Sequence, residues 1–113
     1  MKILNKNKNC ILAEEIFLAD NFLARLSGLL NFRSLDKNQA MILRPSNSVH
    51  TFFMHFPIDV LFVDKNNSVV KMVRNMKPFR ATAICLKSKF VIELPIGVID
   101  LTKTLVGDSL QIQ

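Results

Sequence analysis

The order of hydrophobic and polar residues along the chain predicts many short β-strands and one helix. Apolar or alternating runs end at turn residues, as is typical of strands in sandwiches and barrels. The predicted strands cover residues 10–18 (one or two strands), 40–43, 49–56, 58–64, 69–73, 82–86, 90–94 and 109–113. The predicted helix spans about 20–31, with Asp20 as N-cap and an apolar stripe at helical spacing formed by Phe22, Leu26, Leu29 and Leu30. We therefore expect a mainly β fold, a sandwich, jelly-roll-like domain or barrel with this helix packed on it.

One acid interrupts the most apolar part of the chain. Asp59 lies within Val49–Asp64, a nearly continuous apolar run that is interrupted by two histidines, a proline and this aspartate. Moving a lone carboxylate out of water costs several kcal/mol. Asp59 therefore requires either a compensating interaction partner or a functional role. Arg25 at mid-helix is a candidate partner, because its guanidinium suits a bidentate pair with Asp59 or Glu93. Such a pair would hold the helix on the sheet.

The two histidines do not predict a metal site. In an extended strand His50 and His55 point to opposite faces, and only Asp59 is available nearby as a third ligand. We expect structural or surface histidines and no metal.

The acids allow one catalytic hypothesis. Asp59 and Glu93 are a possible paired-carboxylate site of the kind found in glycosidases, and Asp108 is a further candidate polar residue. The chain contains no G-x-S-x-G, and three glycines cannot build a phosphate-cradling loop or a dinucleotide fingerprint. We expect no cofactor.

Composition and charge predict one ordinary globular domain over residues 1–113. The formal charge of +6 suits an anionic partner such as nucleic acid or a lipid headgroup. The basic residues are spread along the sequence, however, and the aromatic residues are all phenylalanines mostly inside apolar runs. This argues for a solvated surface and against nucleic-acid binding.

The cellular location is predicted from the cysteines and from the lack of a recognisable signal peptide or membrane span. Cys10 and Cys85 form no C-x-x-C motif, and Cys85 reads as a small buried residue, so we expect reduced thiols. The N-terminus has no apolar core of a signal peptide, and no window of about 18 uncharged apolar residues predicts a membrane span. The expected location is the cytoplasm.

The chain resembles the DUF192 family, small domains without an assigned function, over roughly residues 10–113. The residues that carry the resemblance are Ala19, Arg25, Gly28-Leu29-Leu30, Met41-Ile42-Leu43, His50-Thr51-Phe52-Phe53-Met54, Pro57–Asp64, Val69-Val70, Ile92-Glu93-Leu94-Pro95, Gly97 and Gly107-Asp108. Phe53 stands where many members have tryptophan, Leu30 where methionine is usual and Ala40 where glycine is common. The resemblance implies a compact, mainly β domain and no known activity. It maps a possible polar site to Arg25, His50, Asp59, Glu93 and Asp108.

Two functions follow as expectations. The first is a non-catalytic binding or interaction domain whose polar cluster, at the rim of a β core, contacts a small polar ligand or a protein partner. The alternative is a hydrolase-like enzyme with Asp59 and Glu93 as acid and base and His50 assisting. The enzyme needs both carboxylates in one open pocket, within about 5–10 Å of each other. We predict instead that Asp59 is closed off by Arg25 or by backbone amides.

Overall fold

The protein is built from eight strands and two short helices. We describe it from a computed structural model, which covers the backbone of residues 1–113 and every side chain except that of Phe22. The strands are β1 Ile3–Asn5, β2 Cys10–Ala13, β3 Glu15–Ala19, β4 Gln39–Leu43, β5 Ile58–Val63, β6 Val69–Met76, β7 Phe90–Pro95 and β8 Leu110–Ile112. The helices are α1 Phe22–Ser27 and α2 Val98–Thr102.

The strands form two open sheets, so the fold is a sandwich and not a closed barrel. The small sheet has the order β2-β1-β8 and the large sheet the order β3-β4-β7-β5-β6. All paired strands are antiparallel except β3 and β4, which are parallel. Strand β7 therefore lies at the centre of the large sheet, between β4 and β5.

Each face of the large sheet has its own core. The first core lies between the sheets, where α2 also contributes, and its largest fully buried residues are Ile3, Ile42, Leu61, Ile92, Leu94 and Ile99. The second core covers the opposite face beneath α1 and the irregular segments 28–35 and 44–57. Its buried residues include Leu29, Leu43, Val49, Met54, Val60 and Phe62. The large sheet is thus buried on both faces, which explains why β5 reads as continuous apolar sequence.

The predicted helix exists but is shorter than expected. Its N-cap is Asn21, whose side chain accepts from the Ala24 amide, and not Asp20. It ends at Gly28, whose φ of 47° and ψ of −124° suit only glycine. Phe22 was predicted to belong to the apolar stripe of this helix, and its side chain is the one that the structure does not describe. The second helix, α2, was not predicted, since its five residues are too few to show a helical period. Neither helix, over the residues described, has the length and apolar character needed to cross a membrane.

Two predicted strands are wrong. Residues 49–56 and 82–86 lie outside the sheets, and the backbone pairing around them consists of an isolated bridge between His50 and Ala81 and of hydrogen bonds between the loop residues 47–51 and 79–85. In 49–56 the side chains of Val49, Thr51 and Met54 turn inward while Phe52 and Phe53 face solvent. The segment is apolar because it covers the second core as a loop, not because it belongs to a sheet.

Candidate functional site

Glu93 occupies the most unusual position in the fold. It lies on the central strand β7, in register with Met41 of β4 and Val60 of β5. Directly opposed residues of antiparallel strands share a face, so its side chain points into the second core, on the side covered by α1. Only 3% of Glu93 is exposed.

The Glu93 carboxyl is not satisfied by the protein. Its Oε1 atom is fully buried and has no hydrogen-bond partner among the described residues. Burial raises the pKa of the Glu93 carboxyl from 4.5 to about 8, because the charged form has lost its water. Near neutral pH this carboxyl is therefore mainly protonated and neutral, able to donate as well as accept a hydrogen bond.

Glu93 lines a pocket between the end of α1, the large sheet and the loop 46–54. The cavity measures about 260 Å³ and opens to solvent. We call it the Glu93 pocket, and its apolar lining residues are Leu26, Gly28, Leu29, Leu30, Leu43, Val49 and Met54. Its polar lining residues are Arg25, Ser27, Ser46, Ser48, His50 and Glu93. Besides Glu93, the ionisable residues in this lining are Arg25, from α1, and His50, from the loop.

Arg25 and His50 are held at the pocket by neighbours other than Glu93. The Nη1 atom of Arg25 donates to the backbone carbonyl of Arg44 at 3.3 Å. The exposed imidazole of His50 stacks on Phe52, with ring centroids 5.6 Å apart. Neither contact consumes the full donor capacity of the side chain, so both remain able to bind a ligand.

Asp59 lies away from the Glu93 pocket. It is in register with Leu94, so it points to the opposite face of the sheet from Glu93. Its Oδ1 accepts from the Asn75 amide at 2.9 Å, and its Oδ2 accepts from the amides of Gly97 at 3.1 Å and Ile99 at 3.0 Å. The expected pairing of Arg25 with Asp59 is therefore wrong, and the prediction of closure by backbone amides is confirmed. Asp59 joins β5 to β6 and to the start of α2.

Asp108 also has a structural environment outside the pocket lining. Its carboxylate accepts from Asn5, from the Leu105 amide and from Lys8, whose Nζ lies 3.1 Å away. Burial acts to raise the pKa of the Asp108 carboxyl, but these hydrogen bonds and the Lys8 charge outweigh it and lower that pKa. Asp108 thus fastens the loop before β8 to β1.

The structure brings together three of the five candidate residues, Arg25, His50 and Glu93, and separates Asp59 and Asp108 from them. Ser46 and Ser48 also line the pocket and were not among the residues predicted from the sequence. The signal that points to the site is an acid on a strand otherwise made of buried apolar residues. Among the described residues, no group of three histidine, cysteine or acidic side chains is placed to hold a metal ion.

The fold and the pocket define a small β-sandwich protein in which a buried, unpaired carboxyl, that of Glu93, lines an open pocket beside α1. The chain belongs to the DUF192 family, described as an uncharacterized ACR, whose family model matches residues 3–112. Curated relatives are UPF0127 proteins of archaea. One from Pyrococcus horikoshii is 34% identical over 113 residues, covering 96% of both chains. Another from Thermococcus sibiricus is 33% identical over 112 residues, covering 96% of this chain and 72% of the relative.

Two crystal structures share the fold at low sequence identity. A protein of unknown function from Novosphingobium aromaticivorans superposes with a TM-score of 0.84 at 17% identity, covering 98% of this chain and 82% of the other. A putative transcription regulator from Sinorhizobium meliloti gives a TM-score of 0.80 at 19% identity, covering 97% and 89%. These similarities establish the fold and carry no function to this chain.

Proposed function

We propose that this protein is a non-catalytic domain that binds a small carboxylate- or carbonyl-bearing molecule in the Glu93 pocket. The observation that carries the proposal is the buried, unpartnered Oε1 atom of Glu93 in the lining of an open cavity. Buried polar atoms are nearly always hydrogen-bonded, so each exception calls for an explanation. A ligand that completes the hydrogen bonding of Glu93 provides one.

Charge favours a neutral or anionic ligand. With Glu93 protonated, the positive charge of Arg25 is the permanent charge in the pocket lining. A neutral carboxylic acid donates its proton to an acceptor oxygen, and a guanidinium binds a carboxylate well. The apolar walls suit a short hydrocarbon body, and a cavity of about 260 Å³ limits the ligand to a small molecule.

The paired-carboxylate hydrolase finds no support in this geometry. Asp59 and Glu93 point to opposite faces of the large sheet, and all three hydrogen bonds of Asp59 come from backbone amides. Two carboxylates on opposite faces cannot act on one glycosidic bond.

The cytoplasmic location stays a prediction.

A thermal-shift and calorimetric screen of short-chain carboxylic acids and their amides tests the proposal. We expect at least one acid to raise the melting temperature of the wild-type protein. Between about pH 6 and 8, where the ligand carboxylate is ionised, affinity should be nearly constant, and above about pH 8 it should fall by about tenfold per pH unit, because the ionised Glu93 can no longer donate. Glu93→Leu should lose binding, while Glu93→Gln, which keeps a donor, should retain part of it without this dependence on pH.

Controls separate pocket binding from surface binding. Ser48→Trp places a bulky ring at the exposed edge of the pocket and should block binding, while Ser34→Trp, at an exposed position outside the lining, should not. The proposal fails if no acid or amide binds, or if binding survives both Ser48→Trp and Glu93→Leu. Binding of amines that strengthens as pH rises would show that the ligand class is wrong.

A further inference from the structure

We propose that a second surface, formed by Phe53, Phe79 and the basic residues around Phe79, docks on an anionic membrane surface. This surface lies outside the Glu93 pocket lining, and the inference does not depend on the proposed ligand. It concerns attachment to the lipid headgroup layer with shallow insertion of side chains, and no spanning of the bilayer.

Two exposed phenylalanines form the apolar part of this surface, which we call the aromatic tip. Phe53 is 74% exposed and Phe79 is 57% exposed. Their rings contact each other edge to face, with centroids 5.8 Å apart and an interplanar angle of 75°. Residues 26 positions apart in the sequence thus present a shared aromatic projection to solvent.

The backbone holds both rings outward at a conformational cost. Phe53 has a φ of 66° and Phe79 a φ of 64°, in the left-handed region that bulky residues rarely adopt. Such strain persists only where surrounding structure enforces it, and it is concentrated at functional positions. Exposing two large rings yields little burial, so core packing does not explain this strain.

Thr51 supplies the enforcing structure. It is fully buried and joins the loop 51–54 to the loop 77–80. Its hydroxyl donates to the Lys77 carbonyl and accepts from the Arg80 amide, which lies 3.0 Å away. Its backbone amide donates to the Arg80 carbonyl at 2.8 Å, and its carbonyl accepts from the Phe79 amide at 3.0 Å. The two loops that carry the aromatic tip are therefore fixed to each other.

Positive charge is concentrated in the sequence segment that carries Phe79. The segment 65–92 contains seven of the fifteen basic residues and none of the nine acidic residues. It therefore carries a formal charge of +7, and the remainder of the chain carries −1. The basic residues are spread along the sequence, as predicted, and the local excess of positive charge arises because acidic residues are missing from this one segment.

Four of these cations line one concave surface beside the tip. Lys71, Arg74, Lys77 and Arg80 border a groove between β6 and residues 77–82. Arg74 is engaged with the exposed Asp100 at 2.8 Å, while Lys77 and Arg80 flank the tip in sequence and are exposed. Clustered Lys and Arg beside protruding apolar side chains are characteristic of binding to anionic lipid surfaces.

Two exposed aliphatic residues lie further along the same sequence segment, outside the aromatic tip and the groove, and they suit lipid better than nucleic acid. Leu86 is 87% exposed and Ile84 is 65% exposed. Bases stack on aromatic rings, and aliphatic side chains offer no such face, whereas both kinds of side chain enter the boundary between headgroups and acyl chains. Single-stranded DNA therefore serves as the competing ligand in the test.

The experiment is co-sedimentation of the full chain with vesicles. We expect binding to phosphatidylcholine vesicles that contain about one third phosphatidylglycerol, no binding to pure phosphatidylcholine, and release as salt rises. Lys77→Glu/Arg80→Glu should weaken binding by about tenfold or more, since each cation near an anionic surface contributes about fivefold.

The aromatic variants are chosen so that loss of function cannot be confused with loss of folding. Phe53→Asn/Phe79→Asn removes both rings but places at each site a residue that tolerates positive φ. We expect this double variant to melt no lower than the wild type and to lose vesicle binding. The matched control is Leu101→Asn on α2, which removes a side chain that is 75% exposed outside this surface and should leave binding unchanged.

The inference is overturned if the wild type does not bind anionic vesicles, or if both double variants bind as the wild type does. It is also overturned if single-stranded DNA binds and the same variants abolish that binding while vesicles show none. None of these outcomes bears on the Glu93 pocket, whose ligand screen uses other variants.

Discussion

Asp59→Ala is expected to destabilise the protein by about 3–5 kcal/mol, measured as the free energy of unfolding in urea at pH 7. Asp59 is 1% exposed, and its two oxygens accept from the amides of Asn75, Gly97 and Ile99. Alanine leaves three inward-facing N–H groups without a partner, from β6, from the β7–α2 turn and from α2. The expected loss of stability comes from these three unpaired backbone donors.

Two comparisons identify that cause. Asp100→Ala removes an acid from the same region, but its ion pair with Arg74 is exposed, and we expect a change within about 0.5 kcal/mol. Arg25→Ala combined with Asp59→Ala should be additive, because Arg25 donates to Arg44 and not to Asp59. A coupling energy well above 0.5 kcal/mol, roughly the limit of additivity for independent sites, would contradict this assignment and restore the ion pair.

The requirement that Asp59 be satisfied was predictable from sequence, but its partner was not. A carboxylate inside Ile58–Val63 must be compensated wherever the chain folds, so burial chemistry alone indicated a structural acid. A guanidinium can be identified in a sequence, whereas three backbone amides converge only after β6 and α2 are in place. The separation of Glu93 from Asp59 was unpredictable for a similar reason. The two side chains point to opposite faces of the sheet because of the register between β5 and β7, and a single sequence does not reveal that register.

The loops show a second limit of sequence patterns. Segment 49–56 is apolar enough to predict a strand, yet it is a loop fixed through Thr51. Alternation of apolar and polar residues indicates which side chains are buried. It does not distinguish a strand in a sheet from a loop that covers the core. Strands β4, β5 and β7 were predicted within one or two residues, because they are buried on both faces and bounded by clear turn residues.

Glu93 should make the protein less stable as pH rises from 5 to 8. In the unfolded chain the carboxyl titrates near 4.5, and in the folded chain its pKa is raised to about 8. Between these values the folded state binds one proton more than the unfolded state, so the free energy of unfolding falls as pH rises. The expected slope is about 1.4 kcal/mol per pH unit, with a total loss of about 5 kcal/mol above pH 8. Stability from this group is greatest below pH 4.5.

Urea unfolding of the wild type and Glu93→Gln across this range isolates the effect. The amide cannot ionise, so the variant should lose the slope and exceed the wild type most clearly near pH 8. The other shifted groups do not interfere: the pKa of Asp108 is lowered from 3.8, and that of Cys10 is raised from 9.0, so both titrate outside the window. Parallel curves for the two proteins would mean that Glu93 is ionised and has a partner. In that case the pocket lacks the neutral donor on which the proposed carboxylate binding depends.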